Sequence, residues 1–462
     1  MVARTFLIRT FGCQMNEHDS ERLAGLLVAD GLEPADRLED ADVVVFNTCC
    51  IRENADNRLY GQLGRLKTLR QRRPEMQIAV GGCLAQKDRE LVRQRAGHVD
   101  VVFGTHNLAR APALLRQAAG HGPVTEVLDG PIGDADEHAP ALSAVRELPY
   151  AAWVTIQTGC DNSCAFCIVP SVRGPEVSRP LSEVVDEVRG LARRGVVEVT
   201  LLGQNVNSYG RDLTRRRPLF ADLLRGVGGV EGIRRVRFTS PHPKDLRPET
   251  VAAMAETPAV CPQLHLPLQS GSDRVLAAMR RGYTAERYLA RLATARAAVP
   301  DLAVTTDIIV GFPGETDDDF EATLAVVAEA AYDSAYTFIF SPRPGTRAAA
   351  MSDRFVADDV VADRFERLRA VVERSALAAH RARVGLVEEV LVEGPSRRRP
   401  SMLTGRSSHG KLVHFAPAAG QPPPGSFAEV RVTGAAPHHL VGDLVAITAP
   451  PRHRGRIPVV AG

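Results

Sequence analysis

The stretch TGCDNSCAFCIVPSVRG, residues 158–174, sets three cysteines inside eight residues. Cys160, Cys164 and Cys167 stand in a C-x3-C-x2-C spacing, and the next cysteine, Cys261, lies more than ninety residues on. Three thiols on one loop with no fourth nearby describe a site with one coordination position left open. The stretch follows WVTIQT (153–158), the first of six strand-like runs. The others are VEVTLLG (197–203), RRVRFTS (234–240), QLHLPLQ (263–269), VTTDIIVG (304–311) and AYTFIF (335–340). Helical stretches such as LSEVVDEVRGLARRG (181–195) and DDDFEATLAVVAEAA (317–331) separate them. Six βα units imply a partial (β/α)6 barrel, with its site on the loops that follow the strands. The cysteine loop is on that face.

Upstream, residues 1–120 also alternate strand and helix. TFLIRTFGC ends at Cys13, DVVVFNTC at Cys49 and QIAVGGC at Cys83, and VDVVFGT (99–105) is a fourth strand. Between them run NEHDSERLAGLLVADG, with Asn16 as N-cap and Gly31 as the stop, and a polar helix through RENADNRLYGQLGRLKTLRQ. Repeated βα units imply an α/β, doubly wound parallel sheet. The three cysteines then share the sheet edge where such folds bind ligands. Residues 121–145 lose periodicity and read as a linker, so the barrel spans 146–378, closed by a long helix near 357–382. From 379 to 448 short strands with Gly/Pro turns read as a small antiparallel β-barrel, leaving a tail at 449–462.

Composition supports this division. The chain has 462 residues, 44% of them apolar, enough for two or three cores. A net charge of +2 gives no global pull toward nucleic acid or membrane. The last segment is more basic: from Arg383 onward ten arginines and lysines face five acids. No apolar run reaches the length of a membrane span, and the N-terminus reads as a strand and not a signal peptide. The expected compartment is the cytoplasm, where eight cysteines serve better as ligands than as disulfides.

Two metals compete for Cys160, Cys164 and Cys167. Zinc usually takes C-x2-C pairs and four ligands. A 4Fe-4S cluster has four irons, so three thiolates leave one free for a substrate. Cys13, Cys49 and Cys83 could be merely buried thiols. Their small and polar neighbours, FGCQMN, FNTCCIRENA and VGGCLAQ, suit a cluster better than a dry core.

The cysteine loop resembles the signature of the radical S-adenosylmethionine (SAM) superfamily. GCQMN, NTCCIREN, GGCLAQ, LLGQNVNSYG, FTSPHPKDL, HLPLQSGSDRVLAAMRRGYT and DIIVGFPGET extend the likeness over nearly the whole chain, to the methylthiotransferase family, in its isopentenyl-adenosine branch. The C-terminal barrel resembles the TRAM RNA-binding module. This resemblance implies two 4Fe-4S clusters, each on three cysteines: one on Cys160, Cys164 and Cys167 that binds and cleaves SAM, and an auxiliary one on Cys13, Cys49 and Cys83. Cys50, where the family more often has serine, is a spare thiol beside the ligand; Cys49 is taken as the ligand because it aligns with the family's NTC. No catalytic residue is implied beyond these ligands.

Phe166 fits the family's aromatic near the SAM adenine. Gln204 and Asn205 are candidates for the methionine part of SAM, or for loop caps. Gly314 and Glu315 are candidates for its adenine side, or for a plain turn. His242 reads as structural. Arg397, Arg398, Arg399 and Arg406 are candidate RNA phosphate contacts. The implied substrate is a tRNA carrying isopentenyladenosine next to the anticodon, methylthiolated at C2. An electron donor and a sulfur source are further expected partners, and the chain is expected to be a monomer. Rival readings are a sister enzyme, acting on threonylcarbamoyl-adenosine in tRNA or on a ribosomal protein aspartate, and a non-enzymatic iron–sulfur RNA-binding sensor. Both clusters must reach one adenine, so the N-terminal sheet edge should dock on the barrel mouth.

Overall fold

A computed structural model of the chain describes residues 4–50, 53–130, 145–146, 148–215, 217–417 and 421–452. The readings placed on residues 51–52, on 131–144 of the linker and on the tail beyond 452 lie outside the described residues.

Val43–Thr48 is buried at every position, as a strand covered on both faces must be. It pairs in parallel with Thr5–Phe11 on one side and Gln77–Gly81 on the other. Helices Gln14–Ala29 and Ala111–His121 cover one face with Leu23, Leu27, Leu114 and Leu115. Helices Glu53–Arg72, Cys83–Asp88 and Glu90–Arg95 cover the other with Leu59, Leu63, Leu84 and Val92. The sheet is doubly wound, as expected, but it has six strands. Glu33–Pro34 and Val124–Glu126 are additional. Val124–Glu126 falls where the linker was expected to begin. Three residues are too few to show a period, and pairing with Val101–Phe103 is what makes them a strand. The first helix also starts earlier than Asn16: Cys13 holds the cap position, because the Asn16 amide is engaged with the neighbouring strand.

All six barrel runs form parallel strands, in two sets of three. The sets join where Val236 N–H donates to Ala259 O (2.7 Å) and Cys261 N–H to Val236 O (3.0 Å). Alternate residues Val199, Leu201, Val236, Val304 and Ile308 meet the surrounding helices. Trp153, Thr200, Arg237 and Tyr336 take the opposite, inner face. The helix Asp358–Arg381 packs along the last strands and sends Arg364 to Glu315 (2.9 Å), both at most 5% exposed. Replacing Arg364 with Met leaves a buried carboxylate without its counter-charge. The expected cost is about 3–5 kcal/mol, read as a lower denaturant midpoint.

The five C-terminal strands close into a barrel. Four of its pairings are antiparallel, but Leu412–Ala416 pairs in parallel with His439–Ala449, which corrects the all-antiparallel expectation. The reason is geometric: up and down cannot alternate around a ring of odd strand number. This barrel is fixed to the starts of the central strands. Arg235 donates to Arg406 O (2.7 Å), Arg237 to Ser407 O (2.7 Å), and the Arg234 guanidinium lies 3.7 Å from the Phe427 ring centre. The opposite end of the central barrel, with the cysteine loop, faces the N-terminal domain.

Candidate active site

The cysteine loop begins at Gly159, whose φ is +71° and where a Cβ would fall 1.8 Å from Pro175 O, so no other residue fits. Three backbone bonds pin the loop: Cys160 N–H to Gly174 O (3.1 Å), Cys167 N–H to Cys164 O (3.1 Å) and Ala165 N–H to Met279 O (3.0 Å). Phe166 packs with Ala165, Met279 and Phe312, which brings it beside the Gly311–Glu315 turn. Buried Arg281 donates to Cys164 Sγ at 3.3 Å. Burial pushes the Cys167 thiol up to about 12 and raises Cys160 as well. Such thiols carry their charge at neutral pH only when a metal takes them.

The barrel mouth presents acceptors without donors. Gln157 Oε1, Asn205 Oδ1 and Gln269 Oε1 are buried with no hydrogen-bond partner. They stand just past the ends of the first, second and fourth strands. Gln269 is also held at φ +71°, a strained setting for a side-chain-bearing residue. Unsatisfied buried acceptors cost about 1–3 kcal/mol each, so a ligand rich in N–H and O–H groups fits here. The ammonium and ribose hydroxyls of SAM are such groups. Asn205 Nδ2 is already spent on Asp245 Oδ2 (2.9 Å), and Gln204 beside it is half-buried. Gly314 makes a turn at φ +79° and donates to Arg354 O (2.7 Å). The Glu315 carboxylate is turned inward, accepting from Gly311 N–H (2.9 Å) and Arg364. His242 is buried, accepts from Lys244 N–H at 3.2 Å, and is held neutral by its burial.

Cys13, Cys49 and Cys83 follow three adjacent strands on one sheet edge. The close approach needs Gly12, where a Cβ would lie 2.8 Å from Cys49 Cβ. Cys49 N–H donates to Phe11 O (2.7 Å). Below them a buried amide clasp joins helix to strand: Asn16 Nδ2 donates to Asn47 Oδ1 (3.1 Å), and Asn47 Nδ2 to Asn16 O (2.8 Å). Asn16 Oδ1 also accepts from Cys13 Sγ (3.4 Å). The hydrogen bond from Cys49 lowers the Cys13 thiol to about 6, against its burial. One from Cys50 lowers Cys83 to about 7. Cys50 itself moves the other way, raised by its bond to Cys83 and by burial among Leu84, Ile168 and Val172.

Cys50 turns to Cys83, whereas Cys49 adjoins Gly12 and bonds the Cys13 thiol, which makes Cys49 the better-placed third ligand. Cys50→Ser is therefore expected to keep full iron content after anaerobic reconstitution, and Cys49→Ser to lose most of one cluster's iron. Among the described residues no group of three His, Cys, Asp or Glu side chains suits a single metal ion. A 4Fe-4S core spreads its three thiolates over three separate irons, so it asks for a wider set. Both cysteine triplets offer that donor chemistry.

The segment that follows Cys167 packs against the sheet edge that carries Cys13, Cys49 and Cys83. Ile168 and Val172, just after Cys167, are buried in the same cluster as Cys50 and Cys83. Thr105 Oγ1 donates to Val172 O at 2.6 Å. The expected docking of sheet edge on barrel mouth is thus observed.

On the C-terminal barrel, Arg397, Arg398 and Arg399 are exposed on the loop between strands Val387–Pro395 and Leu403–Ser407. Arg406 lies on the latter strand and is paired with Glu393 (3.0 Å). His414 and His439 stand edge to face at 5.0 Å, with Arg398 and Arg399 acting on them. Sequence reasoning missed this histidine pair, and also Arg281, Gln157 and Gln269. The signal for Arg281 was the basic pair inside AAMRRGYT, next to an otherwise apolar helix end.

Comparison with known proteins agrees with this geometry. Residues 154–327 match the Radical SAM superfamily, residues 5–104 an uncharacterized protein family, UPF0004, and residues 381–445 the TRAM domain. The tRNA-2-methylthio-N(6)-dimethylallyladenosine synthase of Mycolicibacterium vanbaalenii is 54% identical over 452 residues, covering 96% of this chain and 88% of that protein. The protein of the same name from Mycolicibacterium smegmatis is 53% identical over 449 residues, covering 95% and 87%. Among solved structures, the radical SAM methyltransferase TsrM from Kitasatospora setae aligns with TM-score 0.54 at 14% identity, over 75% of each chain. The cobalamin-dependent SAM radical enzyme OxsB aligns with TM-score 0.50 at 12% identity, over 81% of this chain and 56% of that one. These two likenesses are of fold.

Proposed function

We propose, since this chain belongs to the tRNA-2-methylthio-N(6)-dimethylallyladenosine synthase family, that it is a radical SAM methylthiotransferase acting on tRNA. It converts N6-isopentenyladenosine next to the anticodon to the 2-methylthio derivative, using SAM and 4Fe-4S clusters. The observation that supports this reading most is the cysteine loop pinned at the barrel mouth, with the segment after it packed into the core beside Cys83. The C2–H bond of adenine has no useful acidity, so a positioned base cannot break it. A 4Fe-4S cluster on Cys160, Cys164 and Cys167, with SAM bound, would supply the one-electron cleavage of SAM that C–H abstraction requires.

The residues have distinct parts in this reading. Cys160, Cys164 and Cys167 hold the SAM-binding cluster within residues 146–378. Arg281 steadies Cys164, and Gln157, Asn205 and Gln269 take the donors of SAM. Phe166 packs on its adenine side. Cys13, Cys49 and Cys83, within residues 1–120, hold the auxiliary cluster. A cluster held there would present the sulfur that replaces the C2 hydrogen, with a second SAM as the donor of its methyl group. The domain at 379–448 grips the tRNA. Arg397, Arg398 and Arg399 are free on their loop to meet phosphates; Arg406 contributes less, being paired with Glu393. Replacing the three with alanine should weaken tRNA binding without changing which tRNA is preferred, and should flatten the dependence of log Kd on log salt by roughly one unit for each lost contact. Binding measured between 50 and 200 mM salt would check this.

The protein needs an outside reductant and sulfur source, and acts as a cytoplasmic monomer. Among the described residues no helix is long and apolar enough to cross a membrane. The test is expression in a bacterium deleted for its own enzyme, with nucleoside analysis of total tRNA by mass spectrometry. Appearance of 2-methylthio-isopentenyladenosine supports the assignment. A methylthio group on threonylcarbamoyl-adenosine instead would move the chain to the sister activity.

A further inference from the structure

Arg173 is only six residues beyond Cys167, yet its side chain belongs to the other domain. It is 8% exposed, and its Nη2 lies 2.7 Å from Asp19 Oδ2, itself equally buried. Asp19 is in the second turn of the helix that begins at Cys13. The segment is fixed before Arg173 by Ile168 and Val172 in the core that holds Cys83 and by the Thr105 bond to Val172 O, and after it by Cys160 N–H donating to Gly174 O (3.1 Å). The guanidinium therefore has no room to swing away. A guanidinium carries five N–H donors, and one carboxylate does not use them all. Asp19 stands six residues after Cys13 on the helix that Cys13 caps, and Val172, next to Arg173, shares one apolar cluster with Cys83, so the ion pair is anchored to both cysteine-bearing elements.

We propose that Arg173 is a positioning residue of the auxiliary site: held by Asp19, it places a fixed positive charge beside Cys13 and Cys83 and sets the reduction potential of the cluster they hold. This rests on the reading that Cys13, Cys49 and Cys83 hold a cluster. One-electron reduction adds a negative charge to a core already made anionic by its thiolates. A cation buried close by stabilises that added charge, and low local dielectric strengthens the effect. The same side chain is continuous with the SAM-cluster loop, so the tuning charge is delivered by the other domain and is present only when the two are docked. Asp19 has the converse influence and fixes the guanidinium's orientation.

The test uses the full chain with Cys160, Cys164 and Cys167 changed to alanine, so that one cluster assembles. Its midpoint potential is followed by electron paramagnetic resonance during an anaerobic redox titration. Arg173→Met should shift the potential to more negative values at unchanged iron content. Arg173→Lys should restore most of that shift, and Asp19→Asn should move it the opposite way. Unshifted potentials with iron retained would overturn the proposal and leave Arg173 a domain contact only. If Arg173→Met cannot hold iron, Asp19→Asn and Arg173→Lys decide: an unshifted potential in Asp19→Asn overturns it, a positive shift supports it. A triple-alanine parent that assembles no cluster would overturn the auxiliary-site reading, and this proposal with it, before any change at Arg173 or Asp19 is made.

Discussion

Replacing Cys160, Cys164 and Cys167 together with alanine should abolish SAM cleavage and, with it, all tRNA product. The argument runs from the loop upward. Gly159 turns the strand end so sharply that the loop is held over the barrel mouth, and three backbone bonds keep it there. Burial raises the Cys160 and Cys167 thiols, so these two stay protonated at neutral pH unless a metal takes them. No other described thiol lies in this loop to replace them: Cys261 is buried near Arg237 and Glu198 at the far end of the barrel. The loss should be complete, down to the rate seen without protein. Iron content should fall by half, with the fold intact, because the backbone bonds that shape the loop do not involve the thiols. Retention of 5′-deoxyadenosine formation by this variant would contradict the assignment of the SAM-binding site.

The complementary change, Cys13, Cys49 and Cys83 to alanine, has the second largest expected effect and a different signature. SAM cleavage should persist at the same order as the parent, while no methylthio product forms. The difference follows from geometry. In the proposed reading the SAM site is completed by barrel residues: Arg281, bonded to Cys164, and the unpartnered acceptors of Gln157, Asn205 and Gln269. The sheet edge contributes to it only indirectly, through packing around Ile168 and Val172. Separate assays of 5′-deoxyadenosine and of modified nucleoside on the same reaction would show the split. Loss of both together would mean that the two sites are one functional unit.

Much of this was legible in the chain itself, for physical reasons. A strand buried on both faces announces itself as an apolar run, as VVVF in DVVVFNTC did, while VTTDIIVG carries the alternating burial of a barrel strand. Cysteines just past such strands had to share an edge once the sheet was parallel. The short strand Val124–Glu126 was not legible, since its existence depends on a partner strand and not on its own residues. Nor was the parallel pairing in the C-terminal barrel, which follows from closure with five strands. At the site, spacing exposed the cysteine loop, but Arg281 and Gln269 come from loops more than a hundred residues away, and only folding brings them in. Asn16 looked like a helix cap because caps and clasps use the same side chain. Its real partner, Asn47, lies on the strand Val43–Thr48.

The most direct test of the central claim is a single reaction. The reconstituted full-length protein is incubated without oxygen with SAM, a strong reductant and tRNA carrying isopentenyladenosine, and the digested nucleosides are weighed by mass spectrometry. The account predicts a methylthio group at C2 of that adenosine, with 5′-deoxyadenosine formed alongside. Protein loaded with both clusters that forms neither product would contradict it and leave an iron–sulfur RNA-binding protein in its place.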